Sequence, residues 1–330
     1  EIGTTPLPTE TVLPSDATAS EDGSDTGAFT IARTGVTAAA LIVRFTLAGS
    51  ATNGTDYATV ALTATIAAGA SSVVVRITPK ADFLLEGSET VVLTLAVGDY
   101  TAGAPNRGTV TIADGVLKNG ATYRGSISRA GETDSGRFTA AAGSRIVISI
   151  GEVGVNSAFV PWIRLLDPNG VVVPGANNWG ALAAQFQVVA PLTGTYRVLV
   201  ASADAGNNDT GTYLLTTVRV PGALTLMPGD QGGALSNGGN HAGAIHVGDL
   251  DAWTVTAAAG ESILVSIGET GAASAFMPWI RVFGPTGALL GGGNDWGELA
   301  AQVQVTAPAA GTYTIVVSTN DSGNDASGTY

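Results

Sequence analysis

The chain repeats itself. Residues 131–213 align with 248–330 without a gap, at an offset of 117. About half of the aligned positions are identical. "SAFVPWIRLLDPNG" faces "SAFMPWIRVFGPTG", "NNWGALAAQFQVVAP" faces "NDWGELAAQVQVTAP", and "GTYRVLV" faces "GTYTIVV". The units open earlier, at "LKNGATYRGSI" from Leu117 and "LSNGGNHAGAI" from Leu235, after a one-residue slip. Two copies aligned this closely share one fold. The Gly-, Pro- and Asn-rich stretch "PGDQGGALSNGG" between them reads as a joining segment.

Each copy reads as strands. In "RIVISI", Ile146, Ile148 and Ile150 share one face, with Arg145, Val147 and Ser149 on the other. Tyr196, Val198 and Val200 share a face, as do Phe186, Val188 and Ala190. Residues 10–114 lie outside the duplication but alternate in the same way, at Phe29 and Ile31, at Leu41, Val43 and Phe45, at Val73, Val75 and Ile77, and at Val91, Leu93 and Leu95. Half-buried antiparallel strands at this spacing build β-sandwiches. The expectation is an all-β chain of three Greek-key or jelly-roll-like sandwiches in series.

The motifs narrow this further. "GDLDAWTVTAAAG", "RVFGPTGALL" and "APAAGTYTIVVS", with the matching "GETDSGRFTAAAG", "RLLDPNGVVV" and "APLTGTYRVLVAS", resemble the bacterial pre-peptidase C-terminal (PPC-like) domain. That resemblance implies a β-sandwich module on exported bacterial proteins and no enzymatic activity in the module itself. In the first block, "ATASEDGSDTGAFTIARTG", "GSATNGTDY", "DFLLEGSETVVLTL" and "GTVTIAD", in this order, resemble a Calx-beta domain. The sequence so divides into an N-terminal extension strand at 1–9, a Calx-beta-like sandwich at 10–114, a first PPC-like sandwich at 115–222, a linker at 223–234 and a second PPC-like sandwich at 235–330.

The Calx-beta resemblance implies Ca²⁺ bound by carboxylates at one end of the sandwich. The positions that carry it are Glu21, Asp56, Asp82, Glu86, Glu89 and Asp114. Ca²⁺ takes six to eight hard oxygens, which several loops at one sandwich end can supply. Ala81, Gly115 and Val116 stand where stronger binders carry further acids, which implies one ion rather than a cluster of ions. The other reading of the same six residues is a solvated acidic rim. In the repeats, "DAGNND" from Asp204 and "DSGND" from Asp321 read as hairpin turns.

Two further groups stand out. Trp179 and Trp296 in "N[ND]WG" are a candidate stacking platform for a glycan, or core and interface residues. Trp162 and Arg164 are two apart on a strand and form a candidate stack. The net charge of -13 sets the chain against a phosphate backbone or an anionic lipid surface, so nucleic acid is not expected, and with no apolar stretch of membrane-spanning length membrane insertion is not expected either. Cysteine is absent, and the two histidines, His241 and His246, fall on opposite faces of a strand. No nucleophile elbow, zinc-protease motif or phosphate loop occurs.

The last feature is a missing strand. In the first repeat "GTY" at Gly211–Tyr213 runs on into "LLTTVRVP"; in the second, "GTY" stops at Tyr330. Set after Tyr330, the N-terminal "EIGTTPLP" places Ile2 against Leu215, Thr4 against Thr217, Leu7 against Val220 and Pro8 against Pro221. Residues 1–8 of one chain then fill the open edge of the next, a head-to-tail contact that builds a filament. The alternative is that the missing strand follows in a longer covalent repeat. The expected function is a non-catalytic structural section of a secreted or cell-surface bacterial protein. The second reading is a Ca²⁺-assisted module that binds a glycan or a matrix protein.

Overall fold

The computed structural model describes residues 6–82, 84–154, 158–206, 208–271, 275–292 and 297–330. The described residues form strands and turns and no helix. Two compact units emerge, one from residues 1–82 with 86–115 and the other from 83–85 with 116–330.

The first unit is a sandwich of two sheets. One sheet orders the strands Ser72–Ile77, Gly27–Thr34, Thr9–Asp16 and Thr101–Ala102. The other orders Thr18–Ser20, Arg107–Ala113, Glu89–Leu95, Leu41–Ala48 and Thr63–Ile66. The period-two pattern decides the register. Phe29, Ile31, Val43, Phe45, Val91, Leu93 and Val110 point inward and close one core. Successive residues point outward, so each strand ends with its turn residues at one rim or the other.

The second unit holds both repeats. In the first repeat, one sheet orders Ala183–Val189, Arg145–Val153, Gly211–Val220, Thr122–Ile127 and Leu84–Leu85. The facing sheet orders Asp134–Ala140, Gly194–Ser202, Pro161–Leu166 and Val172–Trp179. Ile146, Ile148, Ile150, Tyr196, Val198, Val200, Phe186 and Val188 form its core. The opposite face of Arg145–Val153 is also covered: Val147 and Ser149 are buried. Alternation predicts that face as the polar one. It is buried because Val147, Val218 and Val220 pack against Leu250, Ala252, Phe283 and Val316 of the second repeat. The two sandwiches therefore share an apolar joint. The joining segment is partly drawn into it, since Leu224 packs on the same cluster and Gly232–Ala234 pairs in parallel with Ala252–Thr254.

The second repeat copies one sheet of the first and divides the other. Asp251–Ala257, Gly311–Thr319, Pro278–Phe283 and Leu289–Gly291 repeat the facing sheet. In the first repeat, Gly211–Val220 lies between Arg145–Val153 and Thr122–Ile127 and pairs with both. Its counterpart here is the two-residue strand Gly328–Thr329, which pairs with Ala244–Ile245 and, among the described residues, meets the other side through the Thr270 N–H, donated to the Thr329 carbonyl at 2.9 Å. Ser262–Gly268 and Ala300–Thr306 remain a separate two-stranded sheet. Among the described residues, no strand pairs along its whole length with both of these pieces. A cleft of about 890 Å³ opens there, lined by Trp253, Ile263, Ile267, Ile280, Ile315 and Val317 among others. These residues belong to the apolar core of the repeat. Of the proposed assembly strand, Ile2 and Thr4 lie outside the described residues, and Leu7 is exposed.

Candidate metal centre

The carboxylates of Glu21, Glu86 and Glu89 approach one another in the first unit, and the charges of Asp56, Asp82 and Asp114 act on them. Glu21 follows the strand Thr18–Ser20, held by its backbone N–H to the Ala113 carbonyl at 3.1 Å. Asp114 follows the neighbouring strand Arg107–Ala113. Glu86 and Glu89 flank the left-handed turn at Gly87 (φ 77°), whose N–H donates to Asp114 Oδ2 at 3.0 Å. Asp56 closes the turn from Thr52, accepting the Thr52 N–H at 2.5 Å. Its carbonyl takes the Lys80 N–H at 2.9 Å, which draws in the segment ending at Asp82. Strand ends and tight turns thus bring together acids separated by more than ninety positions in sequence.

Oxygens of Glu21, Glu86 and Glu89 all lie within 4.8 Å of one another. Glu21 is only 5% exposed, Asp56 and Asp114 are buried, and Glu89 is half-buried with an Oε2 that has no hydrogen-bond partner. Burial pushes the Glu21 carboxyl up to about 8, reinforced by the charges of Asp114, Asp82, Glu86 and Glu89. Burial and then Asp56, Glu86, Asp114 and Asp82 push Glu89 up to about 7. Glu86 is raised by burial, Asp82 and Asp56. Every charge named here as acting on these three is negative. Such a group needs shared protons or a cation, and an all-oxygen donor set suits Ca²⁺.

The other candidates are placed as follows. Arg164 lies 4.5 Å over the Trp162 ring, and both side chains donate to Asn177 Oδ1 at 3.0 Å. In the second repeat, Arg281 lies 4.1 Å over Trp279. Trp179 is 62% exposed, whereas Trp296 lies outside the described residues. Asp204 accepts from Gly206 N and Asn208 N, and Asp321 from Gly323 N and Asp325 N, so these carboxylates close their own turns. His241 sits 5.1 Å from the Trp253 ring. The sequence reading passed over a second acidic group, Asp230, Asp249 and Asp251 in the second unit. Two of its three acids stand in "GDLD", the opening of the PPC-like motif.

No protein-family model matches the chain, and no curated protein matches it. Solved structures do. The apo form of the Calx CBD1 domain is 19% identical, covering 33% of this chain and 97% of that one, with a TM-score of 0.28. The pre-peptidase C-terminal domain of a collagenase from Bacillus anthracis is 22% identical, covering 31% of this chain and 90% of that one, with a TM-score of 0.23. Both kinds of domain that the sequence resembles are thus among the matches. The D0-D1 domain of intimin is 13% identical, covering 66% of this chain and 97% of that one, with a TM-score of 0.23.

Proposed function

We propose that this chain is a non-catalytic structural section of an extracellular assembly, joined head to tail by strand addition. The observation that carries the reading is the cleft of the second repeat, open onto its apolar core. A sheet with such a gap invites a strand from another chain. The occupant is residues 1–8 of a second copy. In the first repeat Leu215 points into the core and Val220 toward the outer face. The register sets Ile2 at the first place and Leu7 at the second, with Thr4 at the buried Thr217. Pro6 falls at Arg219. There the backbone N–H donates to Asn119 Oδ1 at 2.6 Å rather than into the ladder, so a proline costs no inter-strand bond. Asn237 stands where Asn119 does in the first repeat.

The test uses the full chain and a chain lacking residues 1–8. The full chain should polymerise and the truncated one should stay monomeric by light scattering. A peptide of residues 1–8 should then bind the truncated chain and raise its melting temperature, and the same peptide with Ile2→Asp should not. A truncated chain that polymerises as well, or one that ignores the peptide, overturns the reading.

A second reading, a Ca²⁺-assisted binding module for a glycan or matrix protein, is favoured by the converging carboxylates of Glu21, Glu86 and Glu89 and the exposed Trp179. It predicts glycan-array signals that need Ca²⁺ and disappear with Trp179→Ala.

A further inference from the structure

The facing sheet of the first repeat, Asp134–Ala140, Gly194–Ser202, Pro161–Leu166 and Val172–Trp179, contains three arginines and one acid. The acid, Asp134, is buried and accepts from Tyr213 Oη at 2.6 Å. Arg137, Arg164 and Arg197 each stand between two buried residues, so all three lie on the outer face of the sheet. Arg137 and Arg197 are direct partners across two antiparallel strands, and both are exposed. Cβ atoms of such a pair sit about 5 Å apart, and like charges held there repel. Arg164 is paired with Leu199, two residues on from Arg197, which sets a third guanidinium diagonal to the first two. Among the described residues, neither Arg164 nor Arg197 enters an ion pair. The chain carries 27 acids against 14 Lys and Arg, so a sheet face without an outward acid is a positive patch on an acidic chain.

Aromatic and amide groups adjoin the patch. Trp162 is the direct partner of Trp179, and Arg164 of Asn177. Arg164 covers the Trp162 ring, and Asn177 Oδ1 accepts from Trp162 Nε1 and Arg164 Nε, each at 3.0 Å. The guanidinium is thus held through Nε, and its terminal N–H groups remain for a ligand. Trp179, at the end of the row, is 62% exposed.

The second repeat is an internal control. There Thr254 and Thr314, also direct partners, stand in the places of Arg137 and Arg197. Arg281, in the place of Arg164, is buried, and Phe283 and Val316 of the same sheet pack on Val147 and Val218 of the first repeat. Where this face is closed into the joint, two of the three arginines are threonines. Where it is open, all three are arginines. Packing between sandwiches does not account for them, and a bound anion would.

We infer that Arg137, Arg164, Arg197, Asn177 and Trp179 form a binding face for an anionic polysaccharide, one that carries carboxylate or sulfate groups. The inference rests on the second reading above, the binding module, and gives its ligand a chemical class. Guanidinium forks meet the oxygens of such anions two at a time. The exposed indole offers a flat apolar surface to a sugar ring. Four strands span three spacings of about 4.8 Å, so the face suits several rings in a row rather than one. The net charge of -13 does not cancel the patch. Charges are screened over about 8 Å at physiological ionic strength, so the groups on the face set its local sign.

The experiment titrates the full chain into fluorescently labelled probes and reads anisotropy, in Ca²⁺ and in chelator. The probes are an oligogalacturonate, a chondroitin sulfate oligosaccharide, a neutral cello-oligosaccharide and an oligoglutamate peptide. At least one anionic oligosaccharide should bind, more weakly as salt is raised, and which one binds tells carboxylate from sulfate. Arg137→Thr with Arg197→Thr, which copies the second repeat, should weaken that binding roughly tenfold or more. That variant should melt no lower than the wild-type chain, because it loses a like-charge pair. Trp179→Ala should weaken the binding as well. Absence of binding to both anionic oligosaccharides overturns the inference. So does an affinity that the two arginine substitutions leave unchanged, or oligoglutamate binding as tightly as the sugars. Binding of the neutral probe alone, without salt dependence, overturns it and leaves the second reading standing. A requirement for Ca²⁺ bears on the second reading alone, since the arginine substitutions are read in both buffers.

Discussion

At the scale of single residues, Glu21 is where stability and binding oppose each other. Its folded-state pKa of about 8 stands above the ordinary 4.5, because burial and four neighbouring carboxylates disfavour its charge. The folded state then holds a proton that the unfolded state has released. The stability this gives is fully present below about pH 4.5 and is lost as pH rises through about 8. In chelator, the first unit should therefore melt at a lower temperature at alkaline pH than at mildly acidic pH. Glu21→Gln should flatten that dependence and raise the alkaline melting temperature. The same substitution should remove the gain from Ca²⁺, since a ligand bound only to the folded state stabilises it by mass action. Thermal melts of both chains across pH, with Ca²⁺ and with chelator, measure all three effects. A wild-type chain with the same melting temperature in Ca²⁺ and in chelator would remove the rim from consideration as a metal site.

At the scale of elements, the joint between the repeats rests on close backbone approach and one buried cation. Gly248 has φ 75°, and a Cβ there would stand 2.0 Å from the Gly151 nitrogen of the first repeat. Gly260 has a similar φ of 87° but open space around it. Gly260→Ala should cost about 1–3 kcal/mol from the left-handed backbone alone. Gly248→Ala should cost clearly more, because the two sandwiches must also separate. Urea denaturation of the two variants makes the comparison, and equal losses would mean that the joint is slack. Arg281, 1% exposed, fills the same joint from the second repeat. Its guanidinium donates to Ser318 Oγ at 2.9 Å, and Gln185, with its amide oxygen turned inward, accepts at 2.9 and 3.2 Å. Sequence pattern reached the strands but not this joint. Ile146 and Ile148 declared the core, because one buried face alternates with period two. Val147 and Ser149 read as an outward face, and only a second sandwich in three dimensions makes that face an interior. The acids of the first unit could be named because motifs fix their positions, and three of them, Glu21, Glu86 and Glu89, approach within 4.8 Å. Asp230 could not, because it acts at a distance in sequence from Asp249 and carries no motif of its own.

At the scale of the molecule, the apolar clusters set how the chain should unfold. The first unit has its own core around Phe29, Phe45 and Leu93. The repeats have separate cores, but a third cluster of Val147, Val218, Val220, Leu250, Ala252, Phe283 and Val316 belongs to both. Losing either repeat exposes that cluster to water, at about 25 cal/mol for each Å² of apolar surface uncovered. The repeats are thus coupled through burial, and the first unit closes a core of its own. Calorimetry of the chain lacking residues 1–8 should show two transitions rather than three. Ca²⁺ should raise the transition of the first unit, and Glu21→Gln should erase that rise. The peptide of residues 1–8 should raise the other transition, because the strand it supplies closes the core around Trp253, Ile263 and Ile315. Since the repeats melt together, the added strand should protect amides in the first repeat as well as the second. Hydrogen exchange reads this directly. Protection confined to the second repeat would show that the shared cluster does not couple the two.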